Sequence, residues 1–344
     1  MVIGAAFGST NVKLNPQADD PEIKIAAVGD IMLGTSSPAG LLPPNDGANL
    51  LAEVGPILRA ADMTFGNLEG PMLEGGSSSK CPDPTSTKCF AFRVPTRYGK
   101  YLKEAGFDVM NLANNHALDF GVEGRNSSKA VLESLGIAHT GEVGDVARLT
   151  VKGKRIAIIG FATYPAMNNL LNLEVSKAAV TKLVKENDIV IVSFHGGGEG
   201  PGYTHVARGD EIFLGEDRGD LRRFTHAMID CGAAMILGHG PHVFRAMEVY
   251  KDRLIVYSMG NFATYGPFNL QGPGGIAGIV EARISPDGKF LGGKIYPTKQ
   301  IKPGGPQLDS SNAIIPVLRQ LSNDDFGPNG IDVSDDGTLS KKSK

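Results

Sequence analysis

Seven short apolar segments, each of a length suited to a β-strand, recur along this chain and constrain its fold more than any other feature. Several are rich in valine and isoleucine. They lack a polar residue at every second position, which is typical of strands covered on both faces. The segments are IKIAAVGD, ADMTFGNLE, FDVMNLANNH, RIAIIGFA, DIVIVSFH, AAMILGHG and RLIVYSMGNF.

Amphipathic segments with helical spacing lie between these strands. The clearest are NLLAEVGPILRA, TRYGKYLKEAG, NSSKAVLESLG and DLRRFTHAMIDCG. Strands that alternate with helices predict an α/β fold with largely parallel central pairing. The later segment GIVEARISPDGKFLGGKIYP instead predicts an antiparallel hairpin, because Pro-Asp-Gly stands at its turn.

The organisation along the chain favours one domain. Residues 1–20 are polar and lack periodicity, which predicts a loose lead-in, and residues 21–322 carry the strand and helix pattern. Residues 323–344 are rich in Gly and Asp, so we expect a disordered or loosely docked tail. A boundary near residue 150 is conceivable, but the polar residues of both halves favour one site that joins them.

Charge and hydropathy exclude two classes of function. The net charge is −3 without a basic stripe, so binding to nucleic acid has little electrostatic support. The sequence contains no run of about 18 apolar residues, so it predicts no membrane span. The start MVIGAAFGST lacks the charged and apolar regions of a complete signal peptide, and whether it is a trimmed one stays open.

Two of the three cysteines flank a polar loop. Cys81 and Cys89 enclose a segment rich in Pro, Ser and Thr that could bring both sulfur atoms together. We predict a disulfide between them, which would indicate an oxidising compartment. The alternative is two unrelated loop thiols. Zinc binding is less favoured, because no second Cys/His pair follows at finger spacing.

Nearly every strand-like segment ends in a residue that can bind metal or transfer protons. Because ligands bind at the carboxyl ends of strands in α/β sheets, these ends should converge on one crevice. Singly, Asp30 could cap a turn, Glu69 could be a solvated carboxylate and Asn261 could bond a turn. Together they favour a shared site. The predicted metal ligands are Asp30, Glu69, Asn115, His195, His239 and His242.

The residue types suit divalent ions. Carboxylate and amide oxygens favour Mg or Mn, and imidazoles favour Zn or Fe. Mixed sets of this kind hold ion pairs that activate water. His116, which follows Asn115 directly, is the candidate general acid. Glu199, Arg245 and Asn261 are candidates for substrate contact or for support of the ligands.

The motifs GDIMLG, NLEGP, NLANNHALDFG, SFHGGGEG, GHGPHV and YSMGNF together resemble the CapA family of poly-gamma-glutamate or capsule synthesis proteins. The similarity runs from about residue 23 to 300. This family looks like a branch of the calcineurin-like metallophosphoesterases. The resemblance therefore implies a four-layer α-β-β-α sandwich, a two-metal site and a role in making, exporting or releasing an envelope polymer.

Residue by residue, the resemblance implies that Asp30 is the first metal-binding aspartate and that Glu69 stands at the bridging position. It implies that Asn115, His195, His239 and His242 are ligands and that His116 is the acid. This sequence departs from the phosphoesterase pattern where Met32 replaces a histidine, where Glu69 replaces an aspartate and where the last two histidines are three residues apart. These departures imply that one of the two metal positions is weaker, differently filled or empty.

Three hypotheses of function follow. The first is an envelope hydrolase that uses metal-activated water on a phosphoester or amide-type bond, with His116 as the proton donor. The second is a non-catalytic accessory subunit that binds metal or an anionic polymer and assists a membrane-bound synthase. The third is a phosphatase of small metabolites. The resemblance and the Cys81/Cys89 pair favour the cell envelope or periplasm, and the cytoplasm stays open.

Overall fold

The structure, a computed structural model, describes residues 22–37, 40–78, 80–81 and 89–343, so the predicted lead-in 1–20 lies outside the described residues. The helices are α1 (Gly55–Leu58), α2 (Gly99–Ala105), α3 (Gly121–Ser134), α4 (Leu173–Glu186), α5 (Leu221–Asp230) and α6 (Ile314–Phe326). Short 3₁₀ turns occupy Pro44–Gly47, Thr96–Tyr98, Pro201–Tyr203, Gly272–Gly275 and Gly327–Asn329.

The strands are β1 (Ile23–Met32), β2 (Met63–Leu68), β3 (Val109–Asn111), β4 (Ala138–Thr140), β5 (Val146–Val151), β6 (Lys154–Ala162), β7 (Asn168–Asn169), β8 (Ile189–His195), β9 (Ile212–Phe213), β10 (Glu216–Asp217), β11 (Met235–His239), β12 (Met247–Tyr250), β13 (Arg253–Val256), β14 (Asn261–Thr264), β15 (Ile276–Ile284), β16 (Phe290–Gln300), β17 (Pro306–Leu308), β18 (Asp332–Val333) and β19 (Thr338–Ser340).

Two large sheets organise the described part of the chain. The first has the order β18-β19-β16-β15-β1-β2-β3-β4, with β14 paired to β1 and β17 to β16. The second has the order β12-β13-β11-β8-β6-β5, with β7 paired to β6. The central pairs β1–β2, β6–β8 and β8–β11 are parallel, as predicted. Strands β15 and β16 form the predicted antiparallel hairpin.

Successive side chains of a strand point to opposite faces of its sheet, so each sheet packs against a separate layer on either side. On β8, Ile189 and Ile191 lie in the core between the two sheets. Val190 and Val192 point to the opposite face, into the cluster that α4 and α5 cover. Strand β1 likewise divides its residues between the central core and a cluster under α1, α2 and α3. Burial of apolar side chains on both faces of each sheet produces the predicted α-β-β-α sandwich.

The prediction of a disordered tail over 323–344 is wrong for the residues described. Helix α6 continues to Phe326, and β19 pairs with both β18 and β16. Val333 and Leu339 are buried in the core between the sheets. Two or three residues per strand are too few to show a period, so the polar composition hid these apolar contacts.

The segment 49–60, predicted as one amphipathic helix, contains only the four-residue α1 and adjoining turns. Pro56 stands in its first turn, where the missing N–H and fixed φ of proline are tolerated, and so marks a late start for the helix. Among the described residues, every helix is too short or too polar to cross a bilayer.

Candidate metal centre

The carboxyl ends of the strands bring the predicted polar residues together. Asp30 on β1 lies level with Asn67 on β2 and with Asn261 on β14. In the second sheet, His195 on β8 lies level with His239 on β11. The two sheets meet at this edge, because the Nε2 atom of His239 contacts the backbone oxygen of β1 residue Val28 at 3.1 Å.

A close backbone approach fixes the position of Asp30. Its amide donates to the carbonyl oxygen of Gly260 at 2.9 Å. A Cβ atom on the preceding residue, Gly29, would lie 2.0 Å from that same oxygen. Glycine is therefore required here for the two chain segments to pass so close together.

Asp30, Glu69 and His242 form the centre of the site, and one ligand atom from each lies within 4.8 Å of the others. The Nδ1 atom of His242 lies 2.9 Å from Asp30 Oδ2, and its Nε2 lies 3.5 Å from Glu69 Oε1. His195 Nε2 lies 3.9 Å from the same oxygen of Glu69. The structure thus gathers side chains from four separate strand ends and loops.

The turn after β11 places the His242 ring. Gly240 has a φ of 114° and His242 a φ of 56°, with Pro241 between them. A non-glycine residue in the left-handed region costs of order 1–3 kcal/mol and persists only where its surroundings hold it. Asn261 helps to hold it, because its side chain donates to the backbone oxygen of His242 at 3.1 Å. This turn explains how histidines three residues apart reach one site.

The site buries two carboxyl groups, those of Asp30 and Glu69, beside the imidazole of His242. Burial raises the pKa of Glu69 well above its ordinary value. Burial also opposes the ionisation of Asp30, but contact with the charged ring of His242 lowers the pKa of Asp30 to about 2. Burial opposes protonation of His242, but Glu69 and Asp30 raise the pKa of that ring to about 10. The charged ring of His242 therefore forms an ion pair with the carboxylate of Asp30.

The donor atoms fit a divalent metal. Buried polar atoms in proteins are nearly always hydrogen-bonded, yet five atoms of the predicted ligands, besides the Asp30–His242 ion pair, have no such partner among the described residues. They are both carboxylate oxygens of Glu69, Oδ1 of Asn115, Nε2 of His195 and Nδ1 of His239. His239 Nε2 meets the Val28 carbonyl and so carries the proton, which leaves Nδ1 as a lone-pair donor.

A chain of asparagines that the sequence analysis assigned no role supports the ligands. Asn67 donates to Asp30 Oδ1 at 2.8 Å. Asn111 and Asn114 donate to Asn67 Oδ1 at 2.9 and 3.2 Å, and Asn114 also donates to the Leu68 oxygen at 2.9 Å. Asn67 and Asn114 lie close to candidate ligands in the motifs NLEGP and NNH, and that position was the available signal.

His116 lies in a second hydrogen-bonded group beside Asn115. Its Nδ1 lies 2.7 Å from Asp119 Oδ2, and Lys80 Nζ lies 2.5 Å from Asp119 Oδ1. The amide of Phe92 also donates to Asp119, at 2.7 Å. Burial lowers the pKa of His116, and the bond to Asp119 opposes that shift. Asp119, which sequence reasoning missed, therefore orients the ring and favours its protonated form.

The predicted disulfide is present and lies next to this group. Cys81 and Cys89 are bonded with their Cα atoms 5.7 Å apart, and residues 82–88 lie outside the described residues. Lys80 immediately precedes the bridge and donates to the backbone oxygen of Asn115 at 3.0 Å. The bridge therefore adjoins a lysine whose Nζ lies 3.2 Å from Nδ1 of the candidate acid His116.

The substrate contact considered for Arg245 is wrong in this structure. Its guanidinium is fully buried, and both terminal nitrogens pair with the Glu211 carboxylate at 2.9 Å. It also donates to the Gly198 oxygen at 3.0 Å. Arg245 thus supports the glycine-rich turn after β8 and contacts no open cleft. The sequence offered an arginine near the ligands but no sign of its buried partner.

Asn261 lies level with Asp30 beside the centre, and Glu199 lies in the glycine-rich turn that follows His195. Glu199, partly exposed, accepts from Arg218 Nη1 at 2.8 Å. Burial has the largest effect on the pKa values of Glu69 and His242. The negative charge of Glu199 makes a smaller contribution, which raises both pKa values. Asn261 Oδ1 is buried without a hydrogen-bond partner among the described residues.

Comparison with known proteins agrees with the sequence motifs. The capsule biosynthesis protein CapA of Bacillus anthracis is 30% identical over 266 residues, which covers 71% of this chain and 60% of that protein. The PGA biosynthesis protein CapA of Bacillus subtilis strain 168 is 30% identical over 270 residues, covering 73% and 65%. This chain therefore spans about two thirds or less of the length of these relatives.

Among solved structures, a 5′-nucleotidase precursor from Thermus thermophilus aligns with 87% of this chain and 58% of its own, at 14% identity and a TM-score of 0.44. The family model described as the bacterial capsule synthesis protein PGA_cap matches residues 24–265, which contain every predicted metal ligand. The chain therefore belongs to the bacterial capsule synthesis protein family PGA_cap.

Proposed function

We propose that this protein is a CapA-type, metal-dependent hydrolase that cleaves a phosphoester or amide-type bond in an anionic polymer of the cell envelope. The observation that carries the proposal is the set of buried ligand atoms without hydrogen-bond partners around Asp30, Glu69 and His242. Such a set is costly in a purely structural role, because each unpaired buried polar group destabilises the fold by about 1–3 kcal/mol.

The residues that would hold the ion or ions are Asp30, Glu69, Asn115, His195, His239 and His242. Mn, Zn, Fe and Mg all match part of this mixed oxygen and nitrogen set. A bound divalent ion supplies water that ionises near neutral pH. The asparagine chain from Asn67 holds the Asp30 carboxylate in place for that role.

His116 would donate the proton to the leaving group. Its Nδ1 is engaged by Asp119, so Nε2 is the nitrogen left for the substrate. The Asp119 carboxylate stabilises the protonated ring, and Lys80 holds the other oxygen of that carboxylate. The Phe92 ring, whose centroid lies 4.4 Å from that of His116, packs against the imidazole and restricts its rotation.

The family and the bridge between Cys81 and Cys89 support a place in the cell envelope, because disulfides persist in oxidising compartments. Relatives named for capsule and PGA biosynthesis support an anionic polymer as the substrate. Membrane-bound subunits of a polymer synthase are the partners that this role implies.

The test combines elemental analysis with a panel of phosphodiester and γ-glutamyl peptide substrates. We expect one or two divalent ions per chain and turnover of at least one substrate class. His116→Ala should abolish turnover and leave the metal content unchanged, because the imidazole is a neighbour of the ligands and not one of them. His205→Ala, an exposed histidine paired with Asp325, is the matched control. Full turnover in His116→Ala would remove this residue from the mechanism.

A non-catalytic accessory role is the second candidate. A Mycobacterium tuberculosis relative, 29% identical over 182 residues, is named a probable polyglutamine synthesis accessory protein. Met32, buried on β1, also offers no nitrogen ligand at a position where phosphoesterases carry one. Metal-free protein without turnover that still binds polyglutamate would favour this role over hydrolysis.

A further inference from the structure

We propose that Arg218 is an anion-recognition residue beside the metal centre and that it binds a carboxylate or phosphate group of the substrate through one edge of its guanidinium. The proposal rests on the proposed function in placing the substrate at this centre. Nothing in the sequence singled out Arg218, which lies in the polar segment EDRGD.

The first observation is an incompletely paired, buried cation. Arg218 is 2% exposed. Its Nη1 donates to Glu199 Oε1 at 2.8 Å. Its Nε and Nη2 atoms are buried and have no hydrogen-bond partner among the residues that the structure describes. A buried charged group that leaves two donors unpaired is strongly unfavourable unless something else accepts from them.

The second observation is which nitrogens are unpaired. Nε and Nη2 share one edge of the planar guanidinium, on the side away from the Cδ atom, and their N–H bonds run parallel. This edge is one of the two through which a guanidinium binds a carboxylate or phosphate with two parallel hydrogen bonds. In Arg218, Glu199 accepts from Nη1, and both nitrogens of the other edge are buried without a hydrogen-bond partner among the described residues.

Arg218 lies against the metal centre. The backbone of Arg218 is tied to the turn that follows His195, because its oxygen accepts from the amide of Gly197 at 2.9 Å. The guanidinium carbon also lies 6.0 Å from the ring centroid of Tyr164, which follows β6 at the same sheet edge.

Arg245 shows what a structural arginine looks like in the same region. Both of its terminal nitrogens are paired with one carboxylate, that of Glu211. Arg218 instead has a single bond to a carboxylate that is itself partly exposed. Glu199 therefore positions Arg218 and leaves its binding edge free, which suits recognition of an incoming oxyanion.

The test measures binding of two probes to the full chain by calorimetry: inorganic phosphate and a γ-linked glutamate oligomer. The probe that binds more tightly identifies the oxyanion as phosphate or carboxylate. Arg218→Lys keeps the charge and removes the bidentate edge, so we expect its affinity for that probe to fall about tenfold or more. Arg155→Lys, at an exposed arginine paired with Asp188, should bind as the wild type does.

A second variant changes affinity in the opposite direction. Glu199→Gln keeps a hydrogen-bond acceptor for Arg218 and removes a negative charge next to the bound anion. Its affinity for the probe should therefore rise several-fold, a gain that misfolding cannot produce. Elemental analysis of every variant separates effects on metal content from effects on anion binding.

Two outcomes would overturn the proposal: wild-type protein that binds neither probe, and Arg218→Lys protein that binds as tightly as the wild type. The metal measurement keeps this result distinct from the proposed function. Wild-type protein without metal that binds the probe through Arg218 would refute the hydrolase and retain the anion site. Metal-loaded, active protein whose Arg218→Lys variant binds the probe as the wild type does would refute the anion site and retain the hydrolase.

Discussion

Replacing Arg245 with methionine would remove one half of a fully buried ion pair. The guanidinium donates twice to Glu211 and once to the Gly198 oxygen, and the Gly198 amide in turn donates to Glu211 at 2.9 Å. Methionine has a similar length and no charge. The variant therefore leaves the Glu211 carboxylate buried with a single backbone donor.

The expected loss of stability follows from that burial. The exposed fraction of the side chain is 0% for Arg245 and 3% for Glu211, so water cannot replace the lost donors. Removing one partner of a buried ion pair typically costs about 3–5 kcal/mol, because the other charge stays buried and unpaired. That is a large fraction of a typical unfolding free energy of about 5–15 kcal/mol.

Urea unfolding followed by circular dichroism measures this change. Arg245→Met should lower the free energy of unfolding by about 3–5 kcal/mol. The double variant Arg245→Met, Glu211→Leu should recover most of the loss, because no buried charge remains. If Arg245 bound the substrate instead, Arg245→Met would keep wild-type stability and lose only substrate affinity. That result would refute the assignment of Arg245 as a support for the turn.

Three further outcomes are expected. Gly29→Ala should give little folded protein, because its Cβ would lie 2.0 Å from a backbone oxygen; a soluble variant with an unchanged melting temperature would contradict this contact. Replacing Cys81 and Cys89 with serine should lower the free energy of unfolding by about 2.5 kcal/mol, which is the loop-closure entropy expected for a separation of 8 residues. A urea unfolding curve equal to that of the oxidised wild type would contradict this value. The hydrogen bond to Asp145 raises the pKa of His139 above 6.5, so the charged ring adds stability that is complete below pH 6.5 and is lost as pH rises through the folded pKa. His139→Gln should therefore flatten the pH dependence of the melting temperature across that range, and a slope equal to that of the wild type would count against the pairing.

The sequence predicted the strands and helices of this fold because that information is local. Strand-length apolar segments and helical spacing are visible within a dozen residues, and they predicted the parallel centre and the β15–β16 hairpin. Polar residues at the ends of these segments predicted the candidate metal centre, because strand ends are also visible in the local sequence. Parallel strands share one carboxyl edge, so Asp30, Glu69 and His242 could be expected to meet.

The sequence by itself thus determined the strand and helix pattern, the edge of the sheets where the candidate ligands meet, and the disulfide pair. Only the tertiary structure decided which polar side chains near that edge are paired and which keep donors free. Arg245 and Arg218 are both arginines close to ligand motifs, but one meets Glu211 with both terminal nitrogens and the other leaves an edge unpaired. Whether each arginine has hydrogen-bond partners depends on side chains from distant segments that pack against it. A local sequence pattern does not show where those segments will pack.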